Sequence, residues 1–356
     1  MLALSACGSD APSPATAFDR LVAAATPGMW RGTGPETVQV FVCRVPATTV
    51  SSVYAGQPLR IPMSPATLAA LFQQQVARYY DRVSLGAYAP RFVAGSDVSL
   101  QNTDGPNECA EQAIDAASPD ADVVVAVADA EHAADEHGGQ GSAGEAVAPD
   151  STVRTSRRYA YVGASDFDRA IWADNPPMDL VEHELGHTLG WQHSGIGTGD
   201  EYLSGLDVMS NSAAPRDVDP TRRDAPNTIA VQRLVAGWIP SAEVQQVTAA
   251  TTVALAPSTG KAVRKLTRLA VLPVDEHTFL TVELLTADGL DAHLPADGVA
   301  VHRVRIGGDG LPTTIDPLVG AAPFTSLLAE GDTFSFAGWT LRVNTDWTVD
   351  VQPLGA

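Results

Sequence analysis

The segment His183-Glu184-Leu185-Gly186-His187-Thr188-Leu189-Gly190-Trp191-Gln192-His193 gathers three imidazoles and a carboxylate into one short stretch. On a helix each residue turns by about 100°, so His183 and His187 lie within ~40° of each other and ~6 Å apart along the axis. Two neutral imidazoles so placed can share one metal ion. Val181, Leu185 and Thr188 fall on the other side, giving the helix a core-facing back and a cleft-facing front. Glu184 looks into the same cleft without joining the ligands and has the chemistry of a general base. On a continuing helix His193 would lie ~15 Å from His183, too far to share its metal. The chain must therefore leave the helix after His187, and Gly190 stands where a left-handed residue does this at least cost. With that turn His193 becomes the third ligand, and a fourth tetrahedral position stays open to water, as catalytic Zn2+ requires. One catalytic Zn2+ is expected on His183, His187 and His193, with Glu184 taking the proton of the attacking water.

Other elements must hold this segment. Asn175-Pro176-Pro177 reads as the start of the histidine helix, with Asn175 as its cap. Asp179 and Glu182 could steady a ligand histidine from behind, but solvation on the helix surface is the expectation for both. Upstream, residues 36–44 read as a first strand, and Ser64-Pro65 opens a helix running to about residue 83. Strands follow at 88–92 and 123–127, with a short helix at 108–117 between them; 158–162 reads as a further strand, placed at an edge. Residues 130–152, rich in Gly, Asp and Glu, read as a long surface loop in which His132 and His137 are solvated rather than metal-bound. Bound Ca2+ is a further reading of this acidic character. Beyond 240 the segments 263–274, 278–285, 298–306, 332–336, 340–343 and 347–351 are short and β-rich, separated by turn signals. They predict an all-β, sandwich-like module. Core packing is the expectation for Trp339 and Trp347, a carbohydrate platform the alternative.

A chain of 356 residues with 45% apolar content suits two domains without staples. Its 42 Asp and Glu against 22 Lys and Arg give a net charge of −20, so no basic face exists for a nucleic-acid partner. No apolar run is long enough to cross a membrane as a helix. Leu4-Ser5-Ala6-Cys7 looks like a bacterial lipobox, with a flexible tether following it. The basic and apolar parts of such a signal are missing before Cys7, and the expectation is that upstream codons supply them. Cys43 and Cys109 are compatible with one disulfide in an exported protein, or with two buried thiols. The reading divides the chain into a lipobox and tether at 1–35, a catalytic domain at 36–240 and a β-sandwich at 241–356. It expects an extracellular or cell-surface monomer that meets a membrane only through a lipid at Cys7.

The histidine segment matches the metzincin signature at every fixed position, and Asp207-Val208-Met209-Ser210 is similar to the methionine turn of that family. More widely, the chain resembles the gametolysin and immune inhibitor A branch. The similar features are Tyr79-Tyr80 with Val83-Ser84, Glu201-Tyr202, Ala236-Gly237-Trp238-Ile239, and Thr281-Val282-Glu283-Leu284 followed by Leu294-Pro295 and Gly298-Val299. The resemblance implies a zinc metalloendopeptidase acting on extracellular proteins or peptides. Its catalytic domain would be an α+β zincin-like fold with a mixed twisted sheet and an active-site helix, and Gly190 and Met209 would be structural residues beside the metal. One departure stands out: Asn211 occupies a position where some members carry a tyrosine, and spacing does not put Tyr202 in its place. The rivals are a gluzincin-like enzyme with Glu201 as third ligand, and a binding protein with a vestigial metal domain. Retention of Glu184 speaks against the second.

Overall fold

The computed structural model describes residues 15–25, 32–46, 61–130, 138–143, 157–167, 172–195, 202–261, 263–318 and 327–354. Cys7, His132, His137 and Glu201 lie outside these residues, as does most of the acidic loop. Among the described residues no helix is long and apolar enough to cross a membrane. The fold mixes helices and strands, with several sheets and few helices, an arrangement compatible with α+β.

The first sheet has five strands in the order β2-β1-β3-β5-β4. Strands β1 (Gly34–Arg44), β2 (Tyr88–Ser99), β3 (Val123–Ala128) and β5 (Arg158–Val162) run parallel, and β4 (Gly139–Ser142) closes the edge antiparallel to β5. The strand predicted at 158–162 is therefore interior, and the edge belongs to a short strand inside the segment read as loop. Parallel strands are covered on both faces, and β3 shows it. Val123, Val125 and Val127 enter one core, while Val124, Ala126 and Ala128 enter another. In the second core a disulfide joins Cys43 on β1 to Cys109 on α4 (Pro106–Asp115), which decides between the two readings of these cysteines.

The helix predicted from Ser64-Pro65 forms as two, α2 (Pro65–Gln74) and α3 (Val76–Ser84), interrupted at Gln75. Its start is as read: the Ser64 hydroxyl accepts the Thr67 N–H, and Pro65 takes the first turn. From α3, buried Tyr79 and Tyr80 donate their hydroxyls to the carbonyls of Pro226 and Glu182, at 2.7 and 2.6 Å.

The C-terminal region is a pair of sheets: β11 (Pro312–Pro317), β10 (Gly298–Ile306), β9 (Thr278–Leu285), β8 (Leu269–Pro273) and β6 (Val244–Gln246) in one, and β12 (Thr333–Phe336), β13 (Trp339–Val343), β14 (Thr348–Pro353) and β7 (Thr251–Ala254) in the other. Leu280, Val282 and Leu284 of β9 (Thr278–Leu285) face the second sheet with Leu341, Val349 and Val351. Trp339 is buried there, and Trp347 packs against the same cluster, so both serve the core. The other face of the first sheet is not solvent. Val271, Phe279, Val304 and Ile315 belong to the same core cluster as Val181, Leu185 and Met209. The line drawn at 240 is thus no boundary in packing.

Residues 17–25, counted in the tether, correct that reading. They form α1 (Ala17–Ala25), which buries Phe18 and Leu21, with the Phe18 and Phe279 rings edge-on at 5.7 Å. A reciprocal cap starts it: Asp19 N–H donates to the Thr16 hydroxyl, and Thr16 N–H donates to the Asp19 carboxylate. That pair and the spacing of Phe18, Leu21 and Ala25 were visible in the sequence.

Across the shared interface lies a buried polar set. Glu283 accepts the Ala230 N–H at 2.9 Å and the Ser258 hydroxyl at 2.6 Å. Arg233 donates to the carbonyls of Thr228 and Val83 and to Asn227, whose N–H groups in turn reach Asp291. Burial lifts Glu283 from its ordinary 4.5 to about 7, against the opposing pull of these donors and Arg233. A carboxyl whose folded pKa is raised holds its proton more tightly in the native than in the unfolded chain. Its contribution is full below about pH 4.5 and is lost as pH rises through about 7.

Two outcomes are expected. Glu283→Gln should narrow the fall in unfolding free energy between about pH 5 and pH 8, read from urea midpoints at both values; an unchanged difference would refute the assignment. Replacing both Cys43 and Cys109 with alanine should lower stability by ~2–4 kcal/mol, and the same loss should appear when the native protein is unfolded under reductant.

Candidate metal centre and cleft

The histidine helix spans Asp179–Thr188, starting later than predicted. Met178 caps it without a side-chain bond, and Asn175 instead gives its carbonyl to Arg223. Asp179 and Glu182 are not solvated. Asp179 pairs with Arg216 at 2.5 Å, and Glu182 accepts the Ala225 N–H at 2.7 Å. Burial pushes Asp179 up to about 6, with Arg216 opposing, and pushes Glu182 well up. Both acids sit in the first turn, where the helix dipole favours negative charge. Together they clamp this helix to the segments carrying Arg216 and Ala225.

The helix ends as the spacing requires. Gly190 is left-handed at φ 78°, its N–H reaches the His187 carbonyl at 3.0 Å, and the chain turns back towards His183. His193 Nε2 then lies 3.2 Å from His183 Nε2 and 3.1 Å from His187 Nε2. His183 Nδ1 lies 2.7 Å from the Val208 carbonyl, and His187 Nδ1 lies 2.8 Å from that of Trp191. A carbonyl only accepts, so both Nδ1 atoms carry the proton and both Nε2 atoms present bare lone pairs. Nitrogens 2.0–2.1 Å from a tetrahedral ion stand ~3.3 Å apart. The observed spacing fits such an ion, and among the described residues this is the group of three side chains that can hold one. Burial depresses His183 to about 3 and His187 well below its ordinary value, keeping both neutral as metal ligation demands.

The segment Asp207-Val208-Met209 is the floor of this arrangement. Val208 holds His183, the Met209 carbonyl accepts the Ser194 N–H at 3.0 Å, and Asp207 accepts the hydroxyls of Ser194 and Thr228 at 2.7 and 2.8 Å. Burial raises Asp207 to about 6, opposed by these two hydrogen bonds. Met209 itself is fully buried beneath the helix. It approaches because residue 186 has no side chain: a Cβ there would stand 2.6 Å from Met209 Sδ and 2.7 Å from Trp191 Cε3. Spacing pointed to Met209 and Gly190; Gly186 and Asp207 become legible only when the chain closes on itself.

Glu184 is buried in the cleft wall, and its Oε2 has no hydrogen-bond partner. Burial alone pushes its carboxyl well above the ordinary range. Strand β4 presses against it so closely that a Cβ on Gly139 would collide with the carboxyl, and one on Gly141 with the helix backbone. Tyr202 corrects the expectation drawn from spacing. Its hydroxyl lies 3.4 Å from His193 Nε2 and its ring stands 5.2 Å from that of His193. Residue 202 thus stands beside the histidines, and Asn211 lines the same cleft.

The cleft is open, about 910 Å³ in volume, and holds the histidines, Glu184, Tyr202 and β4 together. No protein-family model and no curated protein sequence matches the chain.

Titration with Co2+ should therefore saturate at about one ion per chain with a tetrahedral visible spectrum, and bound ion should raise the melting temperature. His193→Ala should abolish the spectrum. Equal binding by that variant would refute the triad.

Proposed function

We propose that the chain is a zinc-dependent endopeptidase of the metzincin type, cleaving extracellular proteins or peptides. The observation that carries this reading is the convergence of three imidazole Nε2 atoms beside the buried Glu184 in one open cleft. The chemistry of the donor set fits Zn2+, which three imidazoles hold while leaving a coordination position open. When bound, zinc supplies Lewis acidity to the scissile carbonyl and to the attacking water.

The chain's own groups do the rest. Glu184 takes the water's proton and returns it to the departing amine, so no covalent intermediate is needed. Its burial raises the carboxyl's proton affinity above that of an exposed one, which favours taking the water's proton. The Tyr202 hydroxyl, on the rim beside His193, is placed to donate to the carbonyl oxygen as negative charge gathers on it. Among the described residues β4 pairs with β5 at the end of the sheet and lines the cleft beside Glu184. The mixed sheet with the histidine helix against β4 and β5 is compatible with a zincin-like fold. The Cys43–Cys109 disulfide supports export to an oxidising compartment, in keeping with the lipobox-like Cys7.

Glu184→Gln should keep one zinc per chain yet lower peptide turnover by ~10²- to 10⁴-fold. Chelation should abolish turnover in the parent protein, and added Zn2+ should restore it. Near-normal cleavage by Glu184→Gln at full zinc occupancy would sink the mechanism.

A further inference from the structure

The β-rich region reaches into the cleft. Strands β10 (Gly298–Ile306) and β11 (Pro312–Pro317) form a hairpin whose tip carries Asp309, Leu311, Pro312 and Thr313, and all four line the same cavity as Glu184 and the histidines. The hairpin is joined to the third ligand's own loop. The Gly195 N–H donates to the Ile315 carbonyl at 2.8 Å, and Ser194 bridges to Ile315 in parallel register. Its far side rests on α1: Gly310 is left-handed at φ 85°, and a Cβ there would stand 2.8 Å from the Arg20 carbonyl oxygen. Arg20 also donates to His277 Nδ1, and the His277 carbonyl accepts the Ile306 N–H at the end of β10. A wall held from both sides keeps its shape when a ligand arrives.

The chemistry of that wall is specific. Among the described residues lining the cleft, only Glu184 and Asp309 carry a formal charge, both negative; none is lysine or arginine. Glu184 is sequestered against β4, whereas Asp309 is exposed. The Leu311 N–H donates to Asp309 Oδ1 at 3.0 Å, which orients the carboxylate at the hairpin tip. Beside it, Leu311 and Pro312 line the cavity but are themselves buried, so Asp309 is the group this part of the wall presents. An exposed carboxylate on a cleft wall suits a side chain with a cationic end.

Resting on the peptidase reading, the geometry points to the β10–β11 hairpin as a specificity wall that selects a lysine or arginine side chain of the peptide through Asp309. The C-terminal β region is then part of the active site, and α1 is the buttress that positions its hairpin.

The test measures binding, not turnover. Zinc-loaded Glu184→Gln protein is titrated with fluorescent peptides of one scaffold in which lysine, glutamine or glutamate is scanned through each position, and affinity is read by anisotropy. At one position the lysine peptide should bind ~5-fold more tightly than the glutamate peptide, the scale of a solvent-exposed ion pair. The ratio should shrink as salt rises from ~50 mM to ~0.5 M. Adding Asp309→Asn should erase the preference, and adding Asp309→Lys should reverse it. A preference untouched by both substitutions, or no peptide binding at all, overturns the proposal. Cleavage by protein retaining Glu184 is scored apart. Asp309-dependent discrimination without any cleavage sinks the peptidase reading and leaves the wall standing; cleavage without such discrimination sinks the wall alone.

Discussion

Three imidazole nitrogens that converge on one point dominate this protein's architecture. The Nε2 atom of His193 stands 3.2 Å from that of His183 and 3.1 Å from that of His187, and packing around the rings holds this approach. Two carbonyls impose it. Val208 and Trp191 take the Nδ1 protons of His183 and His187, and in doing so fix both the tautomer and the ring plane. The cluster is thus prepared for a cation before one arrives.

Those carbonyls stand where they do because their segments are buried from several sides. The Trp191 ring is enclosed by Tyr80 and Trp238, with Tyr88 stacked on Trp238 behind them. Asp207, an acid with no surface to reach, fastens the floor by taking hydroxyls from Ser194 and Thr228. A buried carboxylate costs several kcal/mol unless its oxygens are satisfied, so its position is closely specified by its donors. Asp179 and Glu182 do the same at the other end of the helix. The site is held by polar groups, and the apolar core keeps water away from them.

The C-terminal sheets belong to this scheme. Strand β9 is buried along its whole length, because one face meets the second sheet and the other meets the histidine helix's core. Glu283, on the inner face, accepts the first N–H of the Ala230–Val235 helix, and from that helix Gln232 reaches the Gln192 carbonyl beside the third histidine. A contact chain therefore runs from a β strand to the ligand loop. With β11 bonded to Gly195 as well, residues from beyond 240 reach the ligand loop directly through Ile315 and indirectly through the helix that Glu283 caps.

Much of the site was legible from residues alone, because helix geometry is local. One turn relates His183 to His187, and only a left-handed residue lets His193 return, so both the ligands and Gly190 follow from spacing. The disposition of the strands was equally readable wherever apolar runs were continuous, as in Val123–Ala128. What spacing could not settle were contacts between segments distant in sequence. Whether Asp179 and Glu182 face water depends on Arg216 and the Ala225 N–H, which no helical periodicity places. The glycines of β4 resemble loop glycines until the histidine helix is laid against them, when the absence of a side chain becomes a condition of close approach. That the Tyr202 hydroxyl stands 3.4 Å from His193 Nε2 is a contact that counting residues does not give. Sequence determined the chemistry, since side-chain type and helical phase are local properties; tertiary structure decided which surfaces enclose that chemistry, since enclosure is made by parts of the chain that meet only on folding.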